Sequence, residues 1–214
     1  MGKVVVGASL TSEAHRRLRA DIIEGRIRPN VHLVAADLAE QLSISRTPVR
    51  EALQILAAEG LVSSAKRGYV VREHSQDEIR QIYEVRAALE GMAARLAATR
   101  ATDDEIEAIT RIGGHKRSVV SDDRSIVVNL NGAFHDAIQA AAGNERLADI
   151  NSRNSEHFFN YRIAELYSDA EAKAAVDGHA QILAAIRRRD PDGAEAAARE
   201  HVLEALRMAL SKMR

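Results

Sequence analysis

Cysteine and tryptophan are both absent from this 214-residue chain. Without cysteine there can be no disulfide, no thiolate nucleophile and no cysteine-built zinc ribbon, and the absence fits a reducing compartment. Aromatic residues make up only 3% of the sequence, so a core must be assembled from Ala, Leu, Ile and Val. Three prolines and twelve glycines leave few helix breakers, which points to a mostly helical chain. No stretch approaches the ~18 apolar residues of a membrane span. The opening MGKVVVGASL is too short and too weakly apolar for a secretory signal. The expectation is a soluble, cytoplasmic protein with enough hydrophobic positions (46%) for one large domain or two modest ones.

The formal net charge of −1 hides an asymmetry. Residues 1–74 carry 11 Lys and Arg against 8 Asp and Glu, whereas residues 75–214 carry 19 against 23. A basic front end joined to an acidic back end suggests two tasks in one chain. The division expected is a DNA-binding domain over 8–74 and an all-helical domain over 75–214.

In the front part, Ala14, Leu18, Ile22 and Ile23 recur at helical spacing between Thr11 and Gly25. Ala35 to Leu42 reads as a second helix, Ser43-Ile44-Ser45 as a turn, and Arg46 to Glu59 as a third helix that buries Val49, Ala52, Leu53 and Leu56. Gly60 is placed to end it in the left-handed conformation. Leu61 to Ser64 and Tyr69 to Arg72 are short β-prone runs around Ala65-Lys66-Arg67-Gly68, a hairpin pattern. Three helices followed by a basic-tipped hairpin make a winged helix-turn-helix; a small α+β domain with no ligand is the alternative. Behind Glu73, six segments read as helix, about 77–99, 102–119, 124–142, 144–166, 168–188 and 191–211. Gly113-Gly114 is expected to weaken the end of the second, and Asp190-Pro191 to cap the last. Short connections imply an antiparallel six-helix bundle.

A recognition helix enters the major groove by its N-terminus, so its first turn must supply phosphate and base contacts. Arg46 and Arg50 share one helical face with Thr47 beside them. The hydroxyls of Ser45 and Thr47 and the free backbone N–H groups suit phosphate oxygens. An arginine can also grip a guanine edge. Lys66, Arg67 and Gly68 at the hairpin tip are placed to reach a neighbouring phosphate or the minor groove. Two arginines alone describe an ordinary solvated helix start; here they follow a helix-turn element and precede a basic wing.

In the back part, three of the eight histidines fall on faces that should be buried. His135 lies among Phe134, Ile138 and Ala142, His179 shares a face with Val176, Ile182 and Ile186, and His201 belongs to the stripe of Ala194, Ala198 and Ala205. Asn131 sits one turn before His135. A buried histidine is more often a hydrogen-bonded core residue than a ligand. Three from different helices can nonetheless meet around a divalent ion and leave positions open for water or another molecule. Spacing alone leaves both readings standing. Arg86 interrupts the apolar stripe Ile79, Ile82, Leu89 and Ala93, and burying it requires a carboxylate such as Glu90. Asn154 similarly interrupts its helix, facing a cavity or making an interhelical hydrogen bond. His157 is a further candidate ligand.

The run LAEQLSISRTPVREAL from Leu38 to Leu53, continued by Glu59-Gly60-Leu61-Val62 and Arg67-Gly68, resembles the N-terminal domain of GntR-family bacterial transcription regulators. The helical remainder resembles the FadR branch of that family with its FCD effector domain, and six helices rather than seven is similar to the VanR-type subgroup. Two positions of the DNA-binding part depart from the family pattern. Pro29-Asn30 stands where Pro-Gly is frequent, and Ala36 where an arginine often touches DNA. The resemblance implies a homodimer on a palindromic operator, a repressor more often than an activator, and a small organic acid as effector. It also implies a metal set of Asp-x-x-x-His with two later histidines, which here falls on Asn131, His135, His179 and His201. Asparagine brings no charge, so a divalent ion there would keep about two positive charges rather than one, leaving more pull on an anion. Nitrogen-rich sites suit zinc, nickel or manganese. By the same resemblance Arg86 is a candidate to clamp an effector carboxylate, with Asn154 beside it. The rival from another class is a metal-dependent enzyme built on the three histidines, although no Glu or Asp on the histidine faces offers a general base. A bundle that is purely structural is the second rival.

Overall fold

The computed structural model describes residues 9–23, 25–118, 124–154 and 168–213; within these, the side chains of 114–118 and 124–129 are left aside. The chain divides into two compact units between His74 and Ser75.

The first unit holds α1 (Leu10–Ile23), β1 (His32–Leu33), α2 (Ala35–Leu42), α3 (Arg46–Ala58), β2 (Val62–Ser64) and β3 (Tyr69–Val71). α1 packs on α3, and their predicted stripes are the ones buried: Ala14, Leu18, Ile22 and Ile23 on one, Val49, Ala52, Leu53 and Leu56 on the other. Each fully buried Leu or Ile side chain contributes about 1.5–3 kcal/mol. α3 ends in paired capping bonds, Leu61 N–H to the Leu56 carbonyl at 3.0 Å and Gly60 N–H to that of Ala57 at 3.1 Å, with Gly60 at φ 79°. α2 closes by the same motif with Ser43 at φ 55°, a left-handed serine where glycine would be easier. That tight turn sets α3 directly behind α2.

The hairpin pairs Val62 with Val71 and Ser64 with Tyr69. A third strand, β1, lies antiparallel on the far edge of β3, giving the order β1-β3-β2. β1 has no signature in the sequence, because two residues are too few to show alternation. Asn30 leads into it at φ 66°, its amide donating to Glu73 at 2.7 Å and its N–H to the Val71 carbonyl. Asparagine thus adopts the left-handed geometry that glycine would serve.

Six helices of the second unit lie among the described residues: α4 (Gln76–Arg100), α5 (Asp103–Ser118), α6 (Arg124–Ala141), α7 (Glu145–Asn154), α8 (Asp169–Arg187) and α9 (Pro191–Lys212). Their starts are chemically marked. Ser75 with Glu78 and Ser168 with Glu171 form capping boxes, and Asp190 accepts from the Gly193 N–H at 2.9 Å ahead of Pro191. α5 runs on through Gly113, which lies against the Phe134 ring with space for an ordinary contact. Of the segment predicted over 144–166, α7 is the described part, and His157 lies outside the described residues. α4 packs closely on α9, where Gly91 leaves room for the Arg199 and Glu195 side chains. The core between the remaining helices is filled by Ile109, Phe134, Ile138, Ile182 and Ile186. Among the described residues no helix is long and apolar enough to cross a membrane.

Candidate functional site

Ser45 caps α3 in extended geometry (φ −71°, ψ 163°) without a side-chain hydrogen bond to the helix, so its hydroxyl and the first-turn N–H groups stay available. Arg46, Thr47 and Arg50 are exposed, while Pro48 and Val49 between them are buried. The helix is therefore anchored by one face and presents the other. Lys66, Arg67 and Gly68 are exposed at the hairpin tip. Among the described residues Arg46, Arg50, Lys66 and Arg67 have no ion-pair partner, whereas Arg16, Arg19 and Arg26 pair with Glu13, Glu59 and Asp21. The acidic residue beside Arg50 is occupied: the Thr11 hydroxyl donates to Glu51 at 2.6 Å. Gly68, at φ 84°, serves an internal contact, since a Cβ there would stand 2.3 Å from the Leu33 carbonyl oxygen. Its close backbone approach is to β1.

In the second unit the three predicted histidines converge. His135 comes from α6, His179 from α8 and His201 from α9, and one ligand nitrogen from each lies within 4.8 Å of the others. His135 Nε2 and His179 Nε2 are 3.2 Å apart. The ring centroids of His179 and His201 are 4.3 Å apart, and Phe134, fully buried, packs its ring 4.5 Å from that of His179. Three imidazole nitrogens at this spacing form a donor set of the kind that holds a divalent cation. Gly178 makes the arrangement possible, because a Cβ there would meet His201 Nδ1 at 2.6 Å.

Glu90 ties this cluster to Arg86. Its Oε1 accepts from Arg86 Nε at 2.6 Å, and its Oε2 lies 2.8 Å from His135 Nδ1. The second contact is at ion-pair distance without hydrogen-bond alignment, and a carboxylate this close favours the proton on Nδ1, which leaves the Nε2 lone pair on the side of His179. Burial alone would raise the Glu90 pKa, but the charges of Arg86 and His135, with the Arg86 hydrogen bond, outweigh it and hold the carboxyl well below its ordinary range. Tyr83, stacked 5.4 Å from the Arg86 guanidinium, has its hydroxyl pKa raised by burial. Spacing along the chain marks Glu90 only as a partner for Arg86; its contact with His135 depends on how α4 and α6 are rotated. Gly178 has a readable signal, an isolated glycine inside a helical pattern, where helix propensity disfavours it.

Beside His135 is a cavity of about 320 Å³ between α4, α6 and α7. Arg86, Glu90 and Asn131 all border it, as do Gln139 and Asn151. Asn154 takes the interhelical role instead, donating to the Ile82 carbonyl at 3.1 Å. The amide that α7 brings to the cavity is that of Asn151.

A winged helix with unpaired cations on its exposed face, in one chain with a helical bundle that holds three histidines, defines the class of DNA-binding transcription regulators. Residues 10–71 match the family of bacterial regulatory proteins called gntR, and residues 81–204 match the FCD domain. The chain belongs to the GntR family of transcription regulators, with an FCD domain behind its DNA-binding domain. It is 30% identical to the probable D-xylose utilization operon transcriptional repressor of Paenarthrobacter nicotinovorans, over 94% of this chain and 88% of that one. It is 33% identical to the Glc operon transcriptional activator of Escherichia coli K12, over 77% and 74%. Among solved structures, E. coli McbR/YncC shares the fold with a TM-score of 0.82 at 23% identity, covering 97% of this chain and all of that one. These relatives regulate transcription, which sets aside the metal-dependent enzyme.

Proposed function

We propose that this regulator is a cytoplasmic repressor whose operator affinity is set by a small carboxylic acid bound beside a divalent metal ion in the helical domain. One observation carries the reading: imidazoles from three separate helices, two of them buried and that of His135 partly so, bring their nitrogens together, with a carboxylate behind one of them and a glycine cleared for another. That donor set fits zinc, nickel or manganese, with the Asn131 amide as a neutral fourth donor one turn before His135. When bound, the ion supplies positive charge and open coordination positions for an acid. Glu90 fixes the His135 tautomer. It also offsets the charge of Arg86, which borders the cavity and is assigned to the acid's carboxylate. Asn154 holds α7 to α4.

In this reading residues 8–74 bind DNA, and 75–214 bind metal and effector and dimerise. Ser45, Arg46, Thr47 and Arg50 contact the major groove, and Lys66, Arg67 and Gly68 the adjoining backbone. Two copies then occupy the half-sites of a palindrome. Linkage requires that an acid which weakens operator binding is itself held less tightly by the DNA complex. His179→Ala tests the site: bound metal should fall in elemental analysis, and operator affinity should stop responding to acid while acid-free binding persists. Metal content equal to that of the unaltered protein would overturn the assignment.

A further inference from the structure

The cavity beside His135 contains polar atoms that the fold itself leaves without partners. Gln139 is 8% exposed, and neither its amide nitrogen nor its amide oxygen has a hydrogen bond; Asn151 is 7% exposed, and its Oδ1 is likewise unmatched. Both side chains line the cavity, from α6 and α7 respectively. Leaving buried amide groups unsatisfied is costly, and proteins keep such groups where something else completes them. Gln139 lies one turn beyond His135, so whatever meets its amide also lies beside the histidine cluster.

We infer that the ligand of this cavity carries hydroxyl groups as well as a carboxylate, and that Gln139 and Asn151 select for them. The inference rests on the effector reading above and specifies its chemistry. Whichever way round the Gln139 amide lies, it needs one donor and one acceptor from its ligand. A carboxylate offers only acceptors. It would satisfy the amide N–H, leave the Gln139 oxygen unmatched, and set negative charge against the Asn151 oxygen. A hydroxyl donates and accepts through one atom, so two neighbouring hydroxyls complete all three orphaned groups. An aliphatic or aromatic acid without hydroxyls completes at most one. The volume, about 320 Å³, is at the small end for ligand sites and suits a compact acid.

Calorimetric titration of the full metal-bearing chain with acids paired by carbon number tests this: glycerate against propionate, and gluconate against hexanoate. Glycerol and xylitol serve as uncharged polyols. At least one hydroxylated acid should bind about tenfold or more tightly than its plain counterpart. Gln139→Leu should erase that gap and Asn151→Leu should narrow it, with metal content unchanged because the three histidines are untouched. Leucine has nearly the volume of glutamine and removes two unmatched polar atoms, so the variant's ligand-free melting temperature should be no lower than that of the unaltered chain. Plain acids binding as tightly as hydroxylated ones, or a gap that survives both substitutions, overturns this inference and leaves the acid effector standing. Polyols binding through Gln139 while no acid binds upholds hydroxyl recognition and overturns the acid. Binding of no probe overturns both.

Discussion

Gly178 offers the sharpest test of how the histidine cluster is built. It occupies the interior of α8, where glycine costs a helix about 1 kcal/mol relative to alanine. On helix propensity alone, Gly178→Ala should stabilise the protein. In this fold the added Cβ would stand 2.6 Å from His201 Nδ1 and 3.3 Å from its Cγ. Ordinary contact begins near 3.4 Å, so the ring must retreat by roughly 0.8 Å, or α8 and α9 must part. Ligand geometry tolerates only about 0.5 Å. His201 then no longer points where His135 and His179 point, and metal affinity should fall about 10–100-fold, as when residues that orient ligands are lost. Overpacking costs about 1–3 kcal/mol, so the propensity gain is cancelled or exceeded and the metal-free protein should melt no higher than the parent. Competition against a chromophoric chelator reads the affinity; a melt in chelator reads the fold. A variant that holds metal as tightly as the parent while melting higher would refute the reasoning, since the His201 ring would then need none of the space that Gly178 leaves.

Two further outcomes are expected. Arg50 is exposed and has no ion-pair partner, so Arg50→Ala should leave stability within about 0.5 kcal/mol. It should nonetheless cost about 1–3 kcal/mol per half-site in operator binding. A salt-matched shift assay on an operator selected from random DNA by the parent protein measures this, and equal affinities contradict it. Glu171 is held at a pKa of about 2 by the Ser168 backbone N–H, then by its hydroxyl and Lys212. A lowered folded pKa gives stabilisation that is complete above the ordinary carboxylate range and disappears as pH falls from there toward about 2. Glu171→Gln should therefore flatten this part of the acid-unfolding curve; superimposable acid limbs would show that the capping box carries no such dependence.

The readable parts of this molecule are those fixed by neighbours along the chain. The helix starts, the turn at Ser43, the left-handed Gly60 and the Lys66-Arg67 hairpin each depend on a few consecutive residues, so the winged helix could be read directly. The three histidines could be read because each interrupts a periodic stripe. α4 behaves differently. Of the stripe expected to face inward, Ile79, Arg86 and Ala93 are buried whereas Ile82, Leu89 and Leu96 are half-buried, and Ala87, Glu90, Gly91, Ala94, Ala97 and Ala98 are buried as well. In an alanine-rich helix bulk alone does not mark the interior, because small side chains let a neighbouring helix approach closely. That rotation carries Glu90 to His135, and with it the carboxylate that orients the cluster. Gln139 and Asn151 were hidden for the same reason. A polar residue on a helix looks solvated until packing encloses it, and only coordinates reveal that its hydrogen bonds have gone unmade. The metal cluster was therefore legible from its donors, whereas the selectivity of its ligand depended on how three helices turn about their own axes.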